Sequence, residues 1–269
     1  MRETACAKLN LALHVRARET DDYHQIETVF AFAEEGDGLS VAEGEGIRLQ
    51  MTGPFASGLT GQDNIVLAAA LALREHCGTG AGALLTLDKR LPIASGIGGG
   101  SADAGATLRL LARWWRLAVS DEELATLAKR LGADVPACLF SRSARGQGRG
   151  DSLEFADYGV RELPLLLVNP GVKLSTRSVF ERWDGRDGGP LGDPWMGRND
   201  LEAPARSLVP EIGEVLDSLA APGTARLVRM SGSGATCFAL FDKTQDRDDA
   251  SRRIAAGHPH WWQLSSRLR

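Results

Sequence analysis

The sequence contains no long hydrophobic run and few cysteines. A helix needs about 20 consecutive apolar residues to cross a bilayer, and no segment of the chain has such a run. The cysteines, at positions 6, 77, 138 and 237, are scattered and include no Cys-x-x-Cys pair. This spacing argues against a disulfide framework and against a cysteine metal site. We therefore expect the cysteines to be small buried hydrophobic side chains in a reducing compartment.

The chain also lacks a strong excess of one charge. Its formal net charge of −4 argues against general nucleic-acid binding, which uses a basic surface. Strand-like alternation begins within the first few residues, so the pattern leaves no room for a signal or transit peptide. These absences predict a cytoplasmic protein that binds neither nucleic acid nor a membrane. We further expect a small-molecule partner and a monomer or weak homodimer.

Helix-like and strand-like segments together predict an α+β fold in two parts. A chain of 269 residues is long enough for one large domain or two modest ones. The arginines and glycines of residues 141–151 indicate a turn-rich junction. We expect an N-terminal domain over residues 1–155 and a C-terminal domain over residues 156–269, whose last strand could return to the first domain.

Several polar residues have two interpretations each. In the alternating strand of residues 5–16, Lys8 and Asn10 share one face, which is either a solvated surface or the wall of a polar cleft. Tyr23 and His24 at a predicted turn are either plain surface or a stacking ring beside a hydrogen-bonding ring. Asp134, between a glycine and a proline, either caps the next segment or is a rigidly held carboxylate.

A glycine-rich loop has the most informative composition in the chain. Four glycines within five positions precede a predicted helix over residues 102–117, with Ser101 as its expected N-cap and Asp103 in its first turn. A loop that opens a helix offers unpaired backbone N–H groups and the positive end of the helix dipole, which suits a phosphate. The alternative is a packing loop whose glycines make a tight turn. The loop consists of Pro92, Ile93, Ala94, Ser95, Gly96, Ile97, Gly98, Gly99, Gly100, Ser101 and Ala102.

The loop matches neither of two common nucleotide motifs. It is not a Walker A loop, because no Gly-Lys-Ser/Thr follows. The third small residue of a dinucleotide fingerprint would fall at Ser101, and Lys89-Arg90-Leu91-Pro92 is not a buried strand that leads into the turn. A second glycine cluster, residues 231–235, lies between two strand-like segments and is either a simple hairpin turn or a second patch of donors.

Three separated motifs together resemble the GHMP small-molecule kinases. They are Ala7-Lys8-Leu9-Asn10-Leu11, the glycine-rich loop, and Met230-Ser231-Gly232-Ser233-Gly234-Ala235. Further marks extend the resemblance over nearly the whole chain: Asp21-Asp22-Tyr23-His24, Gly132-Ala133-Asp134-Val135-Pro136 and Arg198-Asn199-Asp200-Leu201-Glu202. The resemblance implies an N-terminal β-α-β kinase domain and a C-terminal ferredoxin-like domain, with the active site in the groove between them.

The resemblance also implies a reaction and its residues. ATP with Mg²⁺ would phosphorylate the 2-hydroxyl of a methylerythritol that carries cytidine diphosphate, a step towards isoprenoid precursors by the non-mevalonate route. Asp134 would be the catalytic base and Lys8 its partner at the reacting hydroxyl. The glycine-rich loop would wrap the ATP phosphates. The remaining implied contacts are Asn64 and Lys89 near the adenine, Tyr23 and Phe180 on the faces of the cytosine, His24 on its edge, and Asn10 and Thr176 at the erythritol or diphosphate.

Three other functions remain open at this point. Another GHMP kinase, for homoserine or a mevalonate derivative, would keep both glycine clusters but would not need a base clamp at Tyr23 and His24. An NAD-dependent oxidoreductase would need an acidic residue about 20 positions after the loop, which Asp121 fits only loosely. A non-catalytic nucleotide sensor would not need both Lys8 and Asp134.

Overall fold

The computed structural model describes residues 1–20, 23–58, 64–221 and 223–269. Contacts divide the chain into two compact units that are interleaved along the sequence. The first unit comprises residues 1–7, 35–93 and 98–141, and the second comprises residues 8–34, 94–97 and 142–269. The first two strands and the glycine-rich loop each contribute residues to both units. This division does not test the predicted boundary after residue 155, which stays a prediction.

Long strands begin the chain. Strand β1 (Arg2–Arg18) pairs with strand β2 (His24–Ala42). The alternation predicted over residues 5–16 is therefore confirmed as a strand. The glycines of residues 36–46 also indicate a hairpin region with short strands over 39–41 and 47–49; both segments are strands, but each pairs with the strand over residues 83–88 rather than with the other. At Gly36 a Cβ would lie 1.9 Å from the Ala5 carbonyl oxygen. The glycine is thus needed for close approach of two strands rather than for a turn.

The first unit combines the second half of β2 with two further strands and four helices. β4 pairs with β2 in antiparallel register, from Gly38 opposite Asp88 to Ala42 opposite Leu84, and β3 runs parallel to β4. Helix α2 packs against α1 and α4. The elements are β3 (Ile47–Thr52), α1 (Ile65–His76), β4 (Ala83–Asp88), α2 (Gly99–Trp114), α3 (Asp121–Leu131) and α4 (Val135–Phe140).

Side-chain caps fix the helices that the sequence predicts best. Asn64 Oδ1 accepts the backbone N–H of Val66 at the start of α1. Ser120 and Glu123 form a reciprocal capping box at the start of α3, and Gly132 is the C-cap residue of that helix. The expected start of α2 is wrong: its N-cap is Gly98, at φ 64°, so Ser101 and Asp103 both lie within the helix.

Two sheets contribute strands to the described part of the second unit, and the first of them is the six-stranded sheet that also includes β3 and β4. The first half of β2 pairs with β5 (Ala144–Gln147), which pairs with β6 (Ser152–Phe155). The other sheet is antiparallel, in the order β10-β7-β9-β8. Its strands are β7 (Pro164–Asn169), β8 (Ala225–Met230), β9 (Cys237–Phe241) and β10 (Trp262–Arg267).

Four helices complete the second unit and share a buried core with its antiparallel sheet. They are α5 (Thr176–Glu181), α6 (Glu202–Leu208), α7 (Glu211–Ala220) and α8 (Thr244–Gly257). Core side chains include Leu166, Val215, Phe241 and Ile254. The aromatic residue Phe180 predicts a helix start, and residues 198–202 are also predicted to be helical. Instead, α5 begins at Thr176, four residues before Phe180, and α6 begins at Glu202 rather than at Arg198.

The cysteines follow the prediction in part. Cys6, Cys138 and Cys237 are buried, whereas Cys77 is half-buried, and none of these four described cysteines is in a disulfide. Burial raises the pKa of the Cys237 thiol well above its usual value. Within the described part of the chain, no helix has both the length and the apolar composition needed to cross a membrane.

Candidate active site

Lys8 and Asn10 lie in a buried hydrogen-bond network of the second unit. Both side chains are buried, at 3% and 2% exposure, which excludes the solvated outer surface as an interpretation. The Lys8 ammonium donates to Asn10 Oδ1 at 2.9 Å and lies 5.3 Å from the centre of the Phe30 ring. Asn10 Nδ2 donates in turn to Thr28 Oγ1 at 2.7 Å. The orientation of the Lys8 amine therefore depends on the Asn10 amide of the same strand and, through it, on the Thr28 hydroxyl of the neighbouring strand.

The second glycine cluster contacts both β1 and the middle of the glycine-rich loop. Ser231 Oγ donates to the Gly96 carbonyl at 3.0 Å and accepts the backbone N–H of Asn10 at 3.3 Å. A Cβ on Gly96 would lie 2.5 Å from the Ser231 carbonyl oxygen and 2.8 Å from the Gly234 nitrogen. The Lys8 N–H also bonds the Ile97 carbonyl at 2.9 Å. Residues 231–235 are thus more than a hairpin turn, because they hold part of the loop in place.

The start of α2 has the backbone geometry that an anion site requires. Gly98 is left-handed at φ 64°, and Gly99 begins the helix. The N-cap residue is a glycine, so it has no side chain that could accept a hydrogen bond from the first N–H groups of the helix. Gly100 is exposed, and a Cβ there would have only Ile65 Cγ2 nearby, at 3.8 Å. The helix dipole adds a partial positive charge at the same end.

Asp134 occupies the N-cap position of α4 in the first unit. Its φ and ψ are −83° and −14°, and its side chain makes no capping hydrogen bond. The carboxylate is half-buried. Capping is therefore not what this side chain does, although capping was one of its two interpretations. Lys8 belongs to the second unit and Asp134 to the first, and their predicted meeting stays a prediction.

Aromatic rings form a cluster near the start of β2 in the second unit. The His24 ring lies 4.7 Å from Phe180, tilted by 34°, and 5.7 Å from Trp183 in an edge-on arrangement. Tyr23 is 54% exposed, with the Arg149 guanidinium 4.0 Å from its ring centre. His24 and Phe180 are therefore together as the cytosine contact would require. Trp183 was missed because nothing in its local sequence distinguishes it from a core residue.

A cavity of about 660 Å³ lies beside this aromatic cluster, within the second unit. Its volume is in the range of small-molecule sites. Trp183 lines it and also contacts His24, so the cavity and the cluster are continuous. The other lining residues are Arg182, Asp184, Arg186, Gly188, Asn199, Asp200, Ala203, Pro204 and Ser207.

Thr176 and Lys89 have different surroundings from each other. Thr176 is exposed, and its hydroxyl lies 2.9 Å from Ser233 Oγ of the second glycine cluster. Lys89 is buried, and its ammonium bonds the carboxylates of Asp37 and Asp103. This geometry gives the predicted adenine contact of Lys89 no support. Sequence reasoning missed Asp37, although an aspartate between two glycines within a strand was a usable signal.

Several predicted residues lie outside these clusters or outside the described chain. Asn64, the second predicted adenine contact, is half-buried and caps α1 with its oxygen, while Nδ2 faces Met51 Sδ at 3.4 Å. Asp21 and Asp22, which carry part of the resemblance, lie outside the described residues. Among the residues described, no group of three His, Cys, Asp or Glu side chains could hold a metal ion.

Comparisons with family models and with known relatives show which proteins this chain is similar to. Models of the GHMP kinases N terminal domain and GHMP kinases C terminal match residues 64–142 and 186–260. A 4-diphosphocytidyl-2-C-methyl-D-erythritol kinase of Rhizorhabdus wittichii is 57% identical, covering 99% of this chain and 94% of the relative. A protein of the same name from Novosphingobium aromaticivorans is 48% identical, covering 100% and 93% of the two chains.

Solved structures agree with these matches. The crystal structure of a 4-(cytidine 5'-diphospho)-2C-methyl-D-erythritol kinase superimposes with a TM-score of 0.82 at 32% identity, covering 100% of this chain and 99% of the other. A homoserine kinase from Cytophaga hutchinsonii gives a TM-score of 0.71 at 17% identity, covering 98% and 95%. The second likeness shows a shared fold alone.

Proposed function

The chain belongs to the GHMP kinase family, and on that premise we propose that it phosphorylates 4-(cytidine 5'-diphospho)-2-C-methyl-D-erythritol. ATP would transfer its γ-phosphoryl group to the 2-hydroxyl, which gives ADP and the 2-phosphate. The reaction would supply isoprenoid precursors through the non-mevalonate pathway. The observation that carries the proposal is the 57% identity over 99% of the chain to a relative of that name.

Phosphoryl transfer depends chiefly on alignment and on stabilisation of phosphate charge. The glycine-rich loop would wrap the ATP phosphates, because the uncapped start of α2 offers N–H donors and a positive dipole end. At the exposed Gly100, the lack of a side chain leaves the backbone accessible to a ligand. Asn64 and Lys89 are proposed near the adenine on the resemblance alone.

Magnesium fits the proposal as an ion that arrives with the nucleotide. Mg²⁺ keeps several waters and binds through phosphates and one or two carboxylates, rather than in an all-protein cage. The described residues offer no three-ligand cluster, which is compatible with that mode of binding. Bound to the phosphate oxygens, the ion would neutralise part of their charge.

Asp134 and Lys8 would act on the acceptor hydroxyl. Asp134 would accept the proton as the hydroxyl oxygen attacks phosphorus, and a positioned base contributes about 10²–10⁴ in rate. The Lys8 ammonium would stabilise the developing alkoxide. The contact of Lys8 with Asn10 at 2.9 Å supports this role, because it fixes the direction of the amine before substrate arrives.

The aromatic cluster would recognise the base. Tyr23 and Phe180 would lie on the two faces of the cytosine, and His24 would bond its edge. The contact of His24 with Phe180 supports a shared site for these two rings. Asn10 and Thr176 would meet the erythritol or diphosphate part. A kinase for homoserine or mevalonate has no such base to hold.

A direct assay of acceptor specificity tests the proposal. ADP release is measured with ATP, magnesium and one acceptor at a time: the cytidyl substrate, homoserine or mevalonate. We expect turnover with the cytidyl substrate at least 100-fold faster than with either other alcohol. Asp134→Asn is the matched control for enzyme-dependent transfer and should remove most of the signal. Preferred turnover of homoserine or mevalonate would refute the assignment, and acceptor-independent ADP release would favour a nucleotide-binding sensor.

A further inference from the structure

Three charged side chains are buried together in the first unit. Asp37 on β2, Lys89 just after β4 and Asp103 on α2 are 0%, 2% and 2% exposed. The Lys89 ammonium bonds Asp37 Oδ2 and, at 2.7 Å, Asp103 Oδ2. We call these residues the buried triad. The Lys89 ammonium thus links strand β2 to helix α2, which begins at Gly99, nine residues after Arg90.

The buried triad contacts the chain on both sides of the glycine-rich loop. On the near side, Asp37 Oδ1 accepts the backbone N–H groups of Arg90 at 2.6 Å and Leu91 at 2.8 Å. On the far side, a Cβ on Gly99 would lie 3.1 Å from Lys89 Nζ and 3.9 Å from Asp37 Oδ2. The ammonium therefore lies directly against the first residue of α2.

Burial of these three charged groups costs free energy, so we ask what their arrangement contributes besides stability. Removing charged groups from water carries a large desolvation cost, and apolar replacements of buried ion pairs are often equally stable. Stability alone is thus a weak reason for this triad. Its contacts instead define the position of Leu91 relative to Gly99, which is the span that the loop must bridge.

The protonation of Asp103 limits the net charge beneath the helix. Burial raises the pKa of Asp103 to about 8, although the Lys89 ammonium opposes this shift. Burial also opposes the charge of Lys89, but the two carboxylates outweigh it and raise the pKa of Lys89. Asp103 Oδ1 is buried without a hydrogen-bond partner among the described residues, which adds to the cost of ionising this carboxyl.

We propose that Asp37, Lys89 and Asp103 are positioning residues that set the two ends of the glycine-rich loop, and thereby its affinity for nucleotide phosphates. The inference rests on the proposed function only in taking the loop as the phosphate site. It gives Lys89 a role that does not require contact with the adenine.

The test measures ADP binding by calorimetry together with steady-state kinetics. Asp103→Ala leaves the Lys89–Asp37 pair balanced in charge but disconnects it from α2. We expect the Kd for ADP and the KM for ATP to rise about tenfold, with the KM for the acceptor changed less than twofold. Asp103→Asn keeps an oxygen for the Lys89 ammonium and should restore ADP affinity to within about twofold of wild type.

Glu3→Ala is the matched control. Glu3 on β1 bonds Arg109 and Arg113, farther along the same helix, so its substitution also removes a carboxylate that holds α2. ADP affinity should remain that of the wild type. If Asp103→Ala does not fold by circular dichroism, Asp37→Asn takes its place. That substitution replaces one of the two carboxylate oxygens with an N–H₂ donor, so either Lys89 or the backbone beside it loses its acceptor, and ADP binding should weaken.

Three outcomes would overturn the inference: wild-type ADP affinity in a folded Asp103→Ala or Asp37→Asn variant, an equal loss in Glu3→Ala, or no restoration by Asp103→Asn. Because ADP titration uses no acceptor, the result does not depend on which alcohol the enzyme phosphorylates. The choice of acceptor is decided separately by the specificity assay.

Discussion

Thr28→Val tests whether the orientation of Lys8 depends on the strand beside it. Thr28 is fully buried; its Oγ1 accepts from Asn10 Nδ2 and donates to the Ala12 carbonyl, both at 2.7 Å. Valine has nearly the same shape, so the substitution removes a hydroxyl without opening a cavity. It leaves the Asn10 amide without this acceptor in a site where Asn10 is 2% exposed.

The expected cost follows from these contacts. A buried donor that loses its acceptor costs about 1–3 kcal/mol, and the lost bond to Ala12 adds about 1 kcal/mol. We therefore expect urea denaturation to show a free energy of unfolding lower by about 2–4 kcal/mol. Because Asn10 Oδ1 accepts from Lys8 Nζ, a displaced amide should also lower kcat about tenfold, equivalent to about 1.4 kcal/mol of barrier.

Ile254→Ala provides the control for a general loss of stability. Ile254 is 2% exposed in the core of the same unit, and truncation of a buried isoleucine costs about 2–5 kcal/mol. This variant should unfold at lower urea but keep the wild-type kcat. The reasoning is refuted if the stability of Thr28→Val lies within about 0.5 kcal/mol of wild type, as for an ordinary surface substitution, or if both variants lose kcat equally.

Three further predictions concern the proposed base, the cytosine contact and pH. Asp134→Asn should lower kcat about 10²–10⁴-fold with ADP affinity retained in calorimetry; near wild-type turnover would remove Asp134 as the base. Tyr23→Ala should raise the KM for the cytidyl substrate, since base stacking is worth about 1–3 kcal/mol; an unchanged KM would place the ring elsewhere. Because burial raises the folded-state pKa of Asp103 to about 8, its stabilising contribution is complete below about pH 4 and is lost as pH rises to about 8. Urea denaturation of Asp103→Asn between pH 6 and 9 should therefore show a flatter profile than wild type, and parallel profiles would contradict this.

Local signals predicted some helix ends and missed others. Asn64 and Ser120 were recognisable caps because a cap acts within three residues of itself. Gly36 misled the interpretation of β2, because its reason lies in Ala5 on another strand rather than in its neighbours. The same limit applies to Thr176, whose helix starts earlier than the aromatic pattern around Phe180 indicated.

Residues of the candidate site were predictable where a motif carried them, but their environment was not. The strand pattern could not decide whether Lys8 and Asn10 were solvated, because Ser231, which bonds Asn10, is 221 residues away. Asp37 was missed for the same reason, since its ammonium partner lies 52 residues along the chain. Whether a polar residue is buried depends on such contacts between distant parts of the sequence. The periodicity of a single segment carries no information about them.

The glycines of the glycine-rich loop are needed for different physical reasons. Gly96 is required by packing, because a Cβ would collide with Ser231 and Gly234, and Gly99 leaves room for the Lys89 ammonium. Gly98 has a left-handed backbone. None of these reasons applies to Gly100, which is exposed in the first turn of α2, where a Cβ would meet nothing closer than 3.8 Å. Alanine there would favour the helix by about 1 kcal/mol, so packing alone does not account for the loop; close approach of a phosphate to the backbone, as proposed above, would account for it.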